Sequence, residues 1–459
     1  MIQDALLDLV FMAILLILGF LVARILLRSG KTSETGYLAF PLGGGFFSLV
    51  LFLLSWVGVP ITSTTVLALG LTLVTVAALY IRATQSIFEY SRSTHRAVTQ
   101  YRERVIFFLL VVLVAISALL AVARSYSTWD AIAIWSIKGY GIAQEETIFA
   151  GEQWGAHGLS YPQNIPLLIA SFKLLGGDVL PGSKLLFPLF YVSLITGSYQ
   201  FWRHFNSPKI IAGLGAIFIA SIPVVFEHST IGYANLPFAT YITLGCYLAI
   251  RGIPDKAPRM LVMSGSLFGL ACWTRPEGIF LIPVILFTLI LAFRISRTQL
   301  PTVIPWISPT VIIGGGWLLF LSQYSGPGQL SSGVKHLVQS MLQLQFPLEV
   351  LPKILRTLLR HAITWNAWGF LLPAATLLVI LNLRKLRPKI YPQLFVLLTI
   401  IIVIGTAMVF FYVLGSFDGD LNHMMDTGMD RMFLPFIVLT ATWVVLLAGF
   451  PNGTVKLKD

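Results

Sequence analysis

The chain has 459 residues, of which 56% are hydrophobic and only 11% are charged. Soluble domains carry roughly 25% charged residues, so this composition and the mean hydropathy of +0.84 exclude an ordinary soluble protein and predict a polytopic membrane protein. The formal net charge of +12 would suit a nucleic-acid binder. Most basic residues, however, fall in short loops on one side of the predicted spans, which indicates membrane topology instead.

Apolar segments recur along the whole chain at the length that a bilayer requires. A spanning helix needs about 20 apolar residues. The first segment follows Asp4 and contains Asp8, with no basic leader and no small-residue cleavage site, so we expect a retained span and not a signal peptide. The pattern predicts an all-α bundle of about thirteen spans, near 5–27, 37–57, 64–82, 105–123, 180–202, 209–226, 236–251, 260–274, 277–294, 302–322, 366–383, 391–413 and 432–450.

The charged residues predict how these spans are oriented. With an outer amino terminus, alternating sides places 21 of the 31 basic residues inside and 14 of the 19 acidic residues outside. Cytoplasmic loops are enriched in Lys and Arg, so we expect the amino terminus outside and the carboxyl terminus in the cytoplasm of a prokaryotic cell. The principal outer segments are then 124–179, 227–235, 323–365 and 414–431.

Two outer segments predict helices that are too short to span, at 164–177 and 348–362. Both are expected to lie along the membrane interface. The second segment carries Lys353, Arg356 and Arg360 away from its apolar face. These cations would either rest on lipid headgroups or attract an anionic lipid-linked substrate.

A polar run from Arg124 to Pro166 interrupts the apolar segments. Its Asp130 closely follows a span, where ionisable groups are usually functional, and a carboxylate is a common general base toward a hydroxyl. An exposed loop Asp beside an interfacial Trp belt is the open alternative. If 129–140 is helical, Lys138 shares a face with Asp130 and either holds a phosphate or snorkels to the surface. Other side chains of this run that are candidates to contact a substrate are Trp129, Trp135, His157 and Tyr161.

The next outer loop opens with Glu227 and His228 and continues to Tyr233 and Asn235. A carboxylate beside an imidazole would bind a metal, position a sugar or cap a helix. Two potential ligands do not make a metal site, so this loop predicts substrate contacts and no metal.

Arg275 lies in a Thr-Arg-Pro-Glu-Gly turn between two short apolar segments. Pro276 ends the preceding helix, and Gly278 permits a close approach of the backbone. Arginine suits bidentate contact with phosphate, and Glu277 is a candidate substrate contact. An Arg275–Glu277 pair that closes a helical hairpin is the structural alternative. Arg431, just before the final span, would similarly either snorkel or meet a donor phosphate.

The sequence has no Walker-type loop, dinucleotide fingerprint or Cys/His cluster. We therefore predict no cofactor and no direct use of a soluble nucleotide, and a divalent cation lacks a ligand cluster to support it. Cys246 and Cys272 both lie in apolar segments, which predicts no disulfide framework.

Taken in chain order, the polar motifs of the outer segments described above resemble those of the GT-C class of integral-membrane glycosyltransferases. This class includes protein O-mannosyltransferases and bacterial aminoarabinose transferases. The likeness covers roughly 105–450. It departs from the class at Asn235, where the class often has Asp, and at Asp130, which stands alone where some members have an acidic pair. The motifs that carry it are Trp129-Asp130 followed by Trp135 and Lys138, Tyr161-Pro162, Gly232-Tyr-Ala-Asn-Leu-Pro237, Thr274-Arg-Pro-Glu-Gly278 and Asp430-Arg431.

The resemblance implies a sugar transfer from a polyprenyl-phosphate donor to a hydroxyl of a lipid, glycan or protein on the extracytoplasmic face, with inversion. Asp130 would be the general base, and Lys138, Arg275 and Arg431 would stabilise the departing phosphate. It also divides the chain into three extra amino-terminal spans with a basic loop (1–104), a catalytic core (105–450) and a short cytoplasmic tail (451–459).

Two other functions remain open on the sequence. A polytopic transporter would place charges or broken helices at the membrane midplane, often in two matched halves, whereas this chain concentrates its polar residues at one surface. A lipid-linked glycan polymerase or ligase would share the substrate class. For a transferase, we expect the Arg124–Pro166 run, 227–235, Arg275 and Arg431 to converge over one cavity.

Overall fold

The computed structural model describes residues 2–28, 32–84, 101–152, 154, 158–177, 182–293, 300–324, 348–382, 392–415 and 421–449. Every regular element in these ranges is a helix, which confirms the predicted all-α class. The principal helices are α1 (Ile2–Leu27), α2 (Ala39–Trp56), α3 (Ser63–Ala83), α4 (Tyr101–Ala123), α5 (Ile137–Glu145), α6 (Asn164–Gly176), α7 (Leu186–His204), α8 (Lys209–Ala220), α9 (Pro223–His228), α10 (Asn235–Gly252), α11 (Pro258–Cys272), α12 (Gly278–Ala292), α13 (Leu300–Tyr324), α14 (Leu351–Ile363), α15 (Leu371–Leu381), α16 (Pro392–Gly415), α17 (Leu421–Met432) and α18 (Leu434–Gly449).

Each of the predicted spans overlaps a described helix, and the span predicted at 209–226 is divided between α8 and α9. Among the described residues, six helices are long and apolar enough to cross a membrane, and they include α1, α4 and α16. Others are shorter, such as α11 and α12 with 15 residues each. On α4, Phe107 and Leu119 are 69% and 70% exposed. Large exposed apolar surfaces of this kind mark contact with lipid or a partner in place of water.

The amino-terminal helices pack tightly on each other and on the rest of the bundle. A Cβ atom added at Gly43 of α2 would lie 1.8 Å from the carbonyl oxygen of Leu15 on α1. Only glycine permits this approach, because backbone atoms cannot move aside. Helices α1 and α2 also contact α6 and α11, so they form one body with the later helices.

Two interruptions between consecutive helices lie beside arginine residues. Helix α11 ends at Cys272 and α12 begins at Gly278, so Arg275 lies in the turn between them. An added Cβ at Gly278 would lie 2.8 Å from Cys272 Cα, which explains the need for glycine there. The second break separates α17 from α18 by a bend of 43°. Pro435 follows it in the first turn of α18, and Arg431 lies just before it.

The two short helices predicted at the interface differ. Helix α6 is buried on almost all sides, with Leu167, Leu168 and Ile169 inaccessible, because apolar residues surround its whole circumference. Helix α14 is amphipathic as expected. It buries Ile354 and Ala362 while its cations Lys353, Arg356 and Arg360 and its apolar stripe Leu355, Leu359 and Ile363 are exposed.

Candidate active site

The polar run begins with an unusual helical turn directly after Asp130. Residues Ala131–Ser136 form a π-helix, which continues into α5. π-Helical turns are rare overall, and those that occur are often found at functional sites. Asp130 immediately precedes the turn and is partly exposed, whereas Lys138 on α5 is fully buried. The stretch over 129–140 is therefore helical but contains a wide turn, and the two side chains differ in their exposure.

Asp130 forms an ion pair with Arg431, 301 positions later in the chain. The distance from Arg431 Nη1 to Asp130 Oδ2 is 2.7 Å, and the side chains are 16% and 19% exposed, respectively. The Arg431 guanidinium also lies 4.9 Å from the ring centroid of Tyr233, within reach of a cation–π contact. Through these two contacts, Arg431 on α17 connects Asp130 of the polar run to Tyr233 of the loop before α10.

Asn235 extends the network from Arg431 to Arg275. Its Nδ2 donates to the backbone carbonyl of Arg431 at 3.2 Å, and its Oδ1 accepts from Arg275 Nη1 at 2.6 Å. The amide therefore contacts both arginines with opposite ends of one side chain. A carboxylate here would lack the donor that reaches the Arg431 carbonyl.

Arg275 is fully engaged by protein groups. Its Nε and Nη2 donate to the two carboxylate oxygens of Glu277 at 2.9 and 2.7 Å, and both side chains are buried. With Nη1 on Asn235 and Nη2 also 3.4 Å from Met432 Sδ, every guanidinium nitrogen has a protein partner. This is the geometry expected of a structural pair that closes the α11–α12 hairpin.

Lys138 and Trp135 are buried, and Tyr161 beside them is partly buried. The Lys138 Nζ lies 5.9 Å from the Tyr161 ring centroid and has no hydrogen-bond partner among the described residues. The Trp135 and Tyr161 rings meet edge to face at 5.7 Å. Burial lowers the pKa of Lys138 to about 7. Burial, and secondarily the Glu277 carboxylate, raises the pKa of Tyr161 to about 12. At neutral pH the Lys138 amine is therefore only partly protonated, and it lies beside a phenol that stays protonated.

His228 has one free nitrogen beside Tyr233. Its Nδ1 lies 2.8 Å from the Val224 carbonyl and its ring centroid lies 5.6 Å from that of Tyr233. Because a carbonyl only accepts, Nδ1 carries the proton, and the buried Nε2 has no partner within the described part of the chain. Burial lowers the pKa of His228 to about 4, so Nε2 is a hydrogen-bond acceptor at neutral pH. The adjacent Glu227 is exposed.

The remaining predicted residues have different positions. Trp129 is 64% exposed, whereas Trp135 is buried, and His157 lies outside the described residues. Within the described ranges, no three His, Cys, Asp or Glu side chains are grouped so that they could hold a metal ion. Cys246 and Cys272 are buried and free.

Two buried polar residues that flank the predicted motifs were missed. Asn164 follows Tyr161-Pro162, Thr274 precedes Arg275, and Asn164 Nδ2 donates to Thr274 Oγ1 at 2.8 Å. The available signal was an amide and a hydroxyl at the ends of apolar helices, where buried polar groups need partners. Their pairing across 110 positions has no local signature.

Residues 160–314 match the family model of the dolichyl-phosphate-mannose-protein mannosyltransferases, which describes a GT-C-type glycosyltransferase domain. The matched stretch contains Tyr161, Asn235, Arg275 and Glu277, while Asp130 and Arg431 flank it. A comparison with curated proteins finds no match.

Proposed function

We propose that this chain, which has helices long and apolar enough to cross a membrane and matches a GT-C-type glycosyltransferase family model over residues 160–314, is a membrane glycosyltransferase that transfers a sugar from a polyprenyl phosphate to an acceptor hydroxyl on the extracytoplasmic face. The acceptor belongs to a lipid, a glycan or a protein. The observation that carries the proposal is the Asp130–Arg431 ion pair, which sets a carboxylate and a guanidinium side by side in a partly open position.

The two halves of this pair suit the two charges of the reaction. Asp130 takes the proton of the acceptor hydroxyl, and the acceptor oxygen bonds to the anomeric carbon from the side opposite the phosphate. The bond between that carbon and the phosphate oxygen breaks, its electrons leave with the polyprenyl phosphate, and the sugar inverts. Arg431 stabilises the negative charge on the departing phosphate, as preorganised donors do in other transferases.

The pairing also explains how the site rests before a donor arrives. Arg431 and Asp130 neutralise each other at 2.7 Å. A donor phosphate competes for Arg431 and, by taking it, frees Asp130 to act as a base. Donor binding then switches on the base that the next step needs.

Neighbouring residues complete the site in this proposal. Arg275 orients Asn235, and Asn235 in turn orients the backbone of Arg431. The positive charge of Arg275 also helps to stabilise the donor phosphate. Lys138 supplies a second cation for that phosphate. His228 Nε2 accepts a hydrogen bond from a sugar hydroxyl, with Tyr233 beside it, Glu227 at the rim and Trp129, Trp135, His157 and Tyr161 as further substrate contacts.

Asp130→Asn tests the assignment. General-base catalysis contributes about 10²–10⁴-fold, so transfer from a polyprenyl-phosphate sugar should fall by that factor while the protein still inserts and folds. Asp426→Asn is the matched control, since Asp426 is an exposed carboxylate of α17, and should retain full transfer. Normal turnover by Asp130→Asn would refute the base. Solute uptake into vesicles without any sugar transfer by the wild type would favour the transporter, and elongation of a lipid-linked glycan would favour the polymerase.

A further inference from the structure

Helix α2, one of the three amino-terminal helices outside the expected catalytic core, is inserted between helices that carry the candidate site. An added Cβ at Gly45 would lie 2.6 Å from Leu270 Cδ1 of α11, and one at Gly44 would lie 3.3 Å from Leu168 Cδ1 of α6. Together with Gly43 against α1, three consecutive glycines face three different helices. The contact surface of α2 is therefore shaped for this position.

Ser48, one turn further along α2, is the centre of a buried hydrogen-bond network. Its Oγ lies 2.7 Å from Asn164 Oδ1 and accepts from Trp273 Nε1 at 3.0 Å. The Gly45 carbonyl is a second acceptor for the hydroxyl proton at 3.0 Å. Asn164 Nδ2 in turn donates to Thr274 Oγ1 at 2.8 Å, and Thr274 donates to the Leu270 carbonyl at 2.6 Å. One hydroxyl thus connects α2 to the start of α6 and to the end of α11.

The partners of Ser48 adjoin two segments of the candidate site. Asn164 follows Tyr161 by three positions, and Thr274 directly precedes Arg275. The end of α2 and the residues after it contact the polar run at two more points. Ser55 Oγ accepts from the Ile148 backbone N–H at 3.2 Å, and the Ile61 backbone N–H donates to the Glu146 backbone carbonyl at 2.8 Å. The amino-terminal helices therefore anchor the loop that follows Asp130 as well as the turn that holds Arg275.

We propose that Ser48 is a positioning residue, which acts through Asn164 and Trp273-Thr274 to hold Tyr161 and Arg275 in register with the Asp130–Arg431 pair. This inference rests on the proposed function for its catalytic consequence. The amino-terminal helices then stabilise the geometry of the candidate site.

The physical reason is the low tolerance of buried polar networks. Removal of the Ser48 hydroxyl takes a donor from the Asn164 side-chain carbonyl and the acceptor from the Trp273 indole in a buried region. Buried polar groups that lose a partner are costly, so both side chains are expected to shift. A displacement of about 1 Å far from the chemistry can reduce a rate by about 10²-fold. Substrate contacts would be spared, since Ser48 is fully buried.

The first test is Ser48→Ala against Ser198→Ala. Ser198 is a matched control, because it is also fully buried and its Oγ lies 2.9 Å from Tyr247 Oη, away from the site segments. Both variants should lower the thermal midpoint by a similar amount. Only Ser48→Ala should lower kcat, by about tenfold, with the KM for the donor unchanged. Equal kcat for both variants would overturn the proposal.

Thr274 provides a second test in which the shape of the side chain is preserved. Thr274→Val removes the hydroxyl that accepts from Asn164 and should lower kcat as Ser48→Ala does. Thr274→Ser keeps that hydroxyl and should retain at least half of kcat. If Val and Ser behave alike, the network does not position the site.

Hydrogen–deuterium exchange of the full-length protein separates this inference from the proposed function. Ser48→Ala should increase exchange at 158–166 and 272–278, whereas Ser198→Ala should leave both segments unchanged. Increased exchange in a protein that transfers no sugar would contradict the proposed reaction and leave the anchoring intact. Unchanged exchange would overturn the anchoring whatever the reaction is.

Discussion

Two arginines of the site, Arg275 and Arg431, each meet a carboxylate at 2.7 Å, yet the two pairs differ in every other respect. Arg275 grips Glu277, two positions away, through two nitrogens in a buried turn, and its third nitrogen is held by Asn235. Arg431 meets Asp130 across the fold through Nη1, and both side chains remain partly exposed. We therefore expect the first pair to stay closed and the second to open when a donor binds.

We therefore expect the two ion pairs to have different roles, although each consists of one arginine and one carboxylate. A buried pair with all donors satisfied fixes the shape of the α11–α12 turn, and its loss exposes an uncompensated charge to a low dielectric. A partly exposed pair is worth little to the fold, so exchanging one of its partners for a substrate phosphate costs little.

Glu277→Gln should destabilise the protein strongly, because it leaves Arg275 charged and buried without a counter-ion. The expected loss is about 3–5 kcal/mol in the free energy of unfolding, seen as a lower thermal midpoint in detergent. Asp130→Asn is the comparison and should change stability by at most about 1 kcal/mol. Equal losses would remove the distinction between the two pairs.

Arg431→Gln should reduce kcat/KM for the donor by about 10²-fold, as expected for the loss of one charge-stabilising donor, with little change in the thermal midpoint. Arg431→Lys should recover only part of this, because lysine keeps the charge but lacks the planar fork. Steady-state kinetics with a polyprenyl-phosphate sugar measure both. A large fall in stability without a kinetic defect would show that Arg431 is structural, like Arg275.

Lys138 should make stability depend on pH. Its pKa is lowered from 10.5 to about 7 by burial, so between these values the unfolded chain binds more protons than the folded one. Stability should therefore rise as the pH increases from about 7 toward 10.5, by at most about 1.4 kcal/mol per pH unit. Lys138→Met should reduce this slope in thermal unfolding measured across the same range. An unchanged slope in the variant would place its origin elsewhere.

The smallest expected effect concerns the exposed cations of α14, a helix that packs against α17, the helix of Arg431. Arg356→Gln should raise the KM for an anionic lipid donor by about fivefold at low salt, corresponding to about 1 kcal/mol per charge near a lipid surface. The difference should shrink at high salt. Arg259→Gln, an exposed cation at the start of α11, should have no such effect.

The helices and several site residues were predictable because their signals are local. Apolar length locates spans such as α4 and α16, and charged side chains in so apolar a chain draw attention to Asp130 and Arg431. Their mutual pairing was not predictable, since no local pattern states how helices far apart in the chain are arranged around the bundle. The pairing of Arg275 with Glu277 was foreseen as one alternative because only two positions separate them.

One difference has a specific cause. The expected helix over 129–140 forms, but it contains a π-helical turn at Ala131–Ser136, which a pattern based on 3.6 residues per turn does not predict. The amino-terminal helices were expected to be an extension because the resemblance begins near residue 105. Their hydrogen bonds to segments beside the site involve uncharged residues such as Ser48 and Ser55, so no sequence motif indicates them.

The exchange of partners at Arg431 is the central claim, and donor binding to Asp130→Asn tests it most directly. Binding of a polyprenyl-phosphate sugar to wild type and variant in lipid nanodiscs would be compared, without acceptor. Removal of the competing carboxylate should leave Arg431 free for the phosphate, so the variant should bind the donor several-fold more tightly, as about 1 kcal/mol of released pairing implies, while transfer is lost. Donor binding that is unchanged or weaker in Asp130→Asn would contradict the account.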